Sequence, residues 1–137
     1  MGARSGAREA ALQMLFAIES SGTQADQVIY DFWREMPGDP EDRAYADRIV
    51  RGVTTEMEAT DACIRSASEN WRLERMTRVD RNLLRIGTWE LRTQADVPRA
   101  VVLDEAVELA KRYGTEESKS FVNGVLDRVA DDLGRRD

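Results

Sequence analysis

An all-α domain of six or seven helices is what this 137-residue sequence predicts. Three features say so: only three prolines and nine glycines interrupt the chain, apolar residues recur at helical spacing, and no apolar runs are joined by hairpin turn chemistry. The length suits one hydrophobic core, so residues 1–137 are read as a single domain, with a flexible basic arm at 1–5 and a frayed tail at 134–137.

Ser5 is the expected N-cap of a first helix over 6–20, in which Ala11, Leu12, Leu15, Phe16 and Ile18 form a stripe that ends at Ser20-Ser21-Gly22. Thr23 and Asp26 resemble a capping arrangement for a second helix, which carries Val28, Ile29, Phe32 and Trp33 and breaks at Met36-Pro37-Gly38. Asp39-Pro40-Glu41-Asp42 then supplies a capping carboxylate, a proline at the first helical position and acids at the positive end of the helix dipole. The third helix places Tyr45, Ile49, Val53, Met57 and Ile64 inward and is expected to reach about Ser68 with a kink near Gly52. Residues 70–76 are too short and mixed for a full helix and read as a compact link whose Trp71 and Leu73 point inward.

Thr77 and Asp80 cap the next helix, with Val79, Leu83, Leu84, Ile86, Gly87, Trp89 and Leu91 on its apolar face. Asp96-Val97-Pro98 ends it. A helix over 100–113 follows, with Gly114 as its stop; Val101-Val102-Leu103 is β-prone, but Ala106, Val107, Leu109 and Ala110 continue at helical spacing. Thr115-Glu116-Glu117 opens the last helix, whose stripe is Phe121, Val122, Val125, Leu126, Val129 and Leu133.

Composition narrows the chemistry. No histidine is present, which removes the usual general acid/base near neutral pH and the commonest metal ligand. The single cysteine, Cys63, has neither a disulfide partner in the chain nor a histidine to activate it. No glycine-rich phosphate loop or nucleophile elbow occurs, and Asp104, Glu105 and Glu108 have the spacing of an ordinary amphipathic helix. The expectation is a protein that is not an enzyme and needs no metal or cofactor. No apolar run approaches the roughly 18–20 residues of a membrane span, and the amino end lacks a secretion signal's apolar core, so a cytoplasmic location is expected.

The net charge of −6 is unevenly spread. Acids dominate residues 9–69, whereas Arg72, Arg75, Arg78, Arg81, Arg85, Arg92 and Arg99 outnumber the acids of residues 71–99, and Arg4 and Arg8 mark the amino end. Arg78, Arg81, Arg85 and Arg92 share one helix face. They could track a sugar-phosphate backbone or pair internally with Glu105, Glu108, Asp80 or Glu74. Asn123-Gly124 places two poor helix formers inside an apolar helix; Gly124 is expected to admit another backbone and Asn123 to bond a loop group, with a base edge as the alternative.

The order of Ala7-Arg8-Glu9, Trp71 with Leu73-Glu74-Arg75-Met76, Val79-Asp80-Arg81, Leu84-Arg85-Ile86, Asp96-Val97-Pro98, Glu105-Ala106-Val107-Glu108-Leu109-Ala110-Lys111, Tyr113-Gly114-Thr115-Glu116 and Phe121-Val122-Asn123-Gly124-Val125-Leu126-Asp127 resembles the NusB transcription antitermination family from about residue 7 to residue 130. The resemblance implies an all-helical fold of two packed subdomains. It also implies pairing with the ribosomal protein NusE, binding of boxA RNA in ribosomal RNA leader transcripts, assembly with RNA polymerase and other Nus factors, and, in some members, a homodimer. Carried over by position, the implied RNA-binding residues are Arg4, Arg8, Phe16, Asp80, Arg81, Glu117 and Phe121. Within this set, Arg4, Arg8 and Arg81 are assigned to phosphates, and Phe16 and Phe121 to bases. The family commonly has consecutive basic residues where Ser5 and Gly6 separate Arg4 from Arg8, and a tyrosine where this chain has Phe16. A rival reading is a protein-interaction module whose acidic second and third helices dock a basic partner with no direct RNA contact.

Overall fold

The computed structural model describes residues 4–137; residues 1–3 of the expected arm lie outside the described residues. Within that span are seven α-helices and one short 3-10 turn: α1 (Ser5–Ser21), α2 (Ala25–Glu35), α3 (Pro40–Thr55), α4 (Met57–Ala67), the turn Leu73–Arg75, α5 (Arg78–Thr93), α6 (Arg99–Tyr113) and α7 (Ser118–Asp132). Local chemistry sets several boundaries. Gly22 ends α1 in the left-handed conformation and donates its N–H to the Ile18 carbonyl. Asp39 accepts from the Glu41 amide to open α3, and Thr77 Oγ1 accepts from the Asp80 amide, 3.1 Å away, to open α5.

The helices form two packed groups that share α5. Helices α1, α2 and α3 pack on one another; α4, α6 and α7 pack around α5, which also meets α1 and α3. Leu83, Leu84, Ile86, Gly87, Trp89 and Leu91 are all buried, so α5 is covered on most of its circumference. The β-prone run at 101–103 lies inside α6, where burial of Val102, Leu103, Ala106 and Leu109 outweighs local propensity.

Several expectations need correction. The helix expected over 40–68 is two helices, broken at Glu56 rather than kinked at Gly52. Gly52 is required for another reason: a methyl there would overlap the Trp89 indole. Ser5 is not the cap of α1; Arg4 takes that position with φ 71°, and the Ser5 hydroxyl donates to Glu105 Oε1 at 2.5 Å. Trp71 does not point inward but is 58% exposed, while Leu73 is buried as expected. Leu133 is exposed, and Gly124 faces open space, with no close backbone that would need it. The tail expected to fray is tied at Arg135, which donates to the carbonyls of Leu91 and Val97 and pairs with Asp137. No helix among the described residues is long and apolar enough to cross a membrane.

Candidate nucleic-acid interface

The arginines expected to meet phosphate lie in unequal places. Arg8 is 2% exposed. Its Nε and Nη2 donate to the two oxygens of Glu90 at 2.8 Å each, and its Nη1 donates to Glu105 at 3.0 Å. The Tyr45 hydroxyl donates to the same Glu90 at 2.6 Å, and burial together with the Glu90 charge pushes its pKa well above the usual phenol range. One buried guanidinium therefore ties α1 to α5 and α6, with α3 joined through Tyr45. A direct Arg8–phosphate contact would need this network dismantled, so the expected phosphate role is replaced by an interior one. Arg4 lies at the edge of the same cluster, its guanidinium 4.1 Å from the Tyr45 ring centre and 3.9 Å from Asp96.

The arginine stripe on α5 is mostly spent internally, on partners other than those considered from spacing. Arg81 donates to Glu19 at 2.8 Å and to the carbonyls of Leu73 and Met76. Arg85 makes a two-pronged pair with Asp61, and Arg92 reaches Glu56. Burial by itself would raise the Glu19 pKa, but the hydrogen bond and charge of Arg81, with Arg85 and Asn82, bring it below the usual carboxylate value. Arg81 thus anchors the turn that precedes α5 and has little left for a ligand. Arg78 is the exposed member of the stripe. It donates to Ser20 Oγ at 2.9 Å, and its guanidinium lies 5.8 Å from the Phe16 ring centre.

The aromatic candidates form two contacts joined by one stretch of chain, the aromatic strip. Phe16 is exposed on α1 beside Arg78; eight residues along one segment, from Arg78 back to Trp71, lead to the half-buried Phe121 on α7. The Trp71 and Phe121 rings meet edge to face with centroids 5.7 Å apart. Glu117, exposed, is the N-cap residue of α7, and its carbonyl accepts the Phe121 amide. Asp80, on the first turn of α5, is buried, and its Oδ1 has no hydrogen-bond partner among the described residues. Trp71 was read from sequence as pointing inward because a seven-residue link has no periodicity from which to assign a face.

The NusB family matches residues 5–131. The transcription antitermination protein NusB of Sorangium cellulosum (strain So ce56) is 68% identical over 137 residues, covering 100% of this chain and 98% of that protein. Among solved structures, T. maritima NusB superposes with a TM-score of 0.88 at 38% identity, covering 96% of this chain and 93% of that one. A chain from a crystal structure of the antitermination factors NusB and NusE in complex with dsRNA superposes with a TM-score of 0.87 at 27% identity, covering 94% and 96%. With likeness extending over nearly the whole of both chains in sequence and in fold, the chain belongs to the NusB family.

Proposed function

We propose that the chain is a transcription antitermination factor that pairs with NusE, binds boxA RNA with it, and joins RNA polymerase and other Nus factors in the cytoplasm without catalysing a reaction. The observation that carries the RNA assignment is the aromatic strip, in which Phe16 is exposed beside Arg78 and the exposed Trp71 meets the half-buried Phe121, with the neighbouring Glu19 carboxylate neutralised by Arg81 and Arg85. Double-stranded RNA is held through its backbone and 2′-hydroxyls by many cations, whereas unpaired bases are held by stacking. Aromatic rings with few free cations favour the second. NusE supplies the remaining charge in this reading, and linking the two proteins raises RNA affinity beyond either alone.

Within the strip, Phe16 and Phe121 stack on bases, Arg78 joins Arg4 as a phosphate contact, and Glu117 lies at the edge. Arg8 and Arg81 act by holding α1 and the turn before α5 in place. The test is fluorescence anisotropy of labelled boxA and scrambled RNA with this chain, NusE and both together. The pair is expected to prefer boxA by at least tenfold and to lose about tenfold in affinity on Phe16→Ala or Phe121→Ala. Equal binding of boxA and scrambled RNA by the pair would overturn the reading.

A further inference from the structure

Trp71 is the exposed member of the chain's three tryptophans; Trp33 is half-buried with its indole N–H bonded to Asp47, and Trp89 is buried under Gly52. Its exposure is fixed by the backbone. The Trp71 amide donates to the Ser68 carbonyl at 2.8 Å, closing a turn after α4, and the buried Ser68 side chain holds the end of that helix through the Ile64 carbonyl. Phe121 meets the indole edge to face, which leaves an indole face open. Beside the two rings is a hollow of about 290 Å³, lined by Glu69, Asn70, Ser120, Phe121, Gly124 and Arg128, where Arg128 lies 3.6 Å from the Glu69 carboxylate and offsets its charge. A side chain at Gly124 would meet nothing within 4 Å, so the helix-weakening glycine leaves this floor unfilled.

The charge beside Trp71 indicates the occupant. Arg72 and Arg75 are exposed and have no ion-pair partner among the described residues, and Glu74 between them is 3.8 Å from Arg65. Tyr30 is equally exposed, but it stands on a helix that carries Asp26, Asp31 and Glu35 against Arg34 alone. That surface repels phosphate, and the Trp71 surface attracts it.

We propose that Trp71, backed by Phe121, is a stacking platform for one unpaired base, with Arg72 and Arg75 contacting the phosphates on either side. This rests on the RNA-binding reading above and adds a base contact and two phosphate contacts to the strip. The occupant is an RNA base and not a protein side chain, because a ring with an open face beside two unpaired guanidinium groups matches the stacking-plus-cation arrangement that single strands use.

The experiment uses the full chain with NusE and a boxA oligonucleotide carrying 2-aminopurine at successive positions. Trp71→Ala is expected to weaken binding about tenfold with its melting temperature unchanged, and Trp71→Phe to restore most of that affinity. RNA is expected to quench the wild-type tryptophan emission more strongly than that of Trp71→Phe, and 2-aminopurine emission at one position should rise on Trp71→Ala. The platform is refuted if wild type prefers boxA and Trp71→Ala binds it within twofold of wild type. It is equally refuted if NusE alone produces the whole emission change, which would mark Trp71 as a protein contact. Failure of the underlying RNA reading gives a different result, in which wild type with NusE no longer distinguishes boxA from scrambled RNA, and both proposals fall.

Discussion

At the scale of single residues, charge is used inside this domain as much as on its surface. Glu90 is 1% exposed and is matched by Arg8 and by the Tyr45 hydroxyl. Removing Arg8 alone leaves a buried carboxylate uncompensated, so Arg8→Ala should lower unfolding stability by about 3–5 kcal/mol in urea titration. Replacing both partners by apolar residues, as in Arg8→Met with Glu90→Leu, should cost far less. Glu19 gives a pH test. Its pKa is depressed on folding, so its contribution to stability is present above the ordinary carboxylate range and disappears as pH falls through the lowered value. Urea midpoints of wild type and Glu19→Gln should therefore differ most near about pH 7 and converge as pH falls below the ordinary carboxylate range. Arg8 was misread from sequence because its partners lie 82 and 97 residues away. One signal was present: Arg8, Leu12 and Leu15 follow at steps of four and three, which puts the arginine on the buried stripe of α1.

At the scale of elements, capping chemistry made the starts of α3 and α5 legible, whereas α1, α2 and α7 open without the side-chain caps expected for them. Asp39-Pro40 and Thr77 open α3 and α5 where the sequence places them, since each start is fixed by contacts within three residues. The α3–α4 break at Glu56 was not legible, because helix-compatible residues continue across it. The two glycines of interest exchange roles for the same kind of reason. Gly52 looked like a kink but makes room for Trp89, so Gly52→Ala should destabilise by about 1–3 kcal/mol through overpacking. Gly124 looked like a close contact but faces open space in mid-helix, so Gly124→Ala should stabilise by roughly 0.5–1 kcal/mol. Thermal unfolding of both variants checks the signs. An increase for Gly52→Ala would contradict the packing of α3 against α5.

Over the whole molecule, the net charge of −6 is separated into faces with different uses. Helix α2 and the start of α3 carry Asp26, Asp31, Glu35, Asp39 and Glu41 at the surface, while Arg72, Arg75 and Arg78 lie along the aromatic strip. The all-helical class and the family were legible because they depend on periodicity and on ordered motifs over the full length. The working surface was only partly legible, because spacing finds the arginines without telling which of them neighbouring carboxylates consume. With Arg8, Arg81 and Arg85 engaged, the proposed phosphate contacts are Arg4, Arg72, Arg75 and Arg78, and the chain's own share of the single-strand salt slope should be about −3. The most direct test is ultraviolet crosslinking of boxA RNA to the complex of this chain with NusE, followed by mapping of the joined peptides. The account predicts crosslinks in the segments holding Phe16, Trp71 and Phe121. Crosslinks confined to NusE, or to residues 25–55 of this chain, would contradict it.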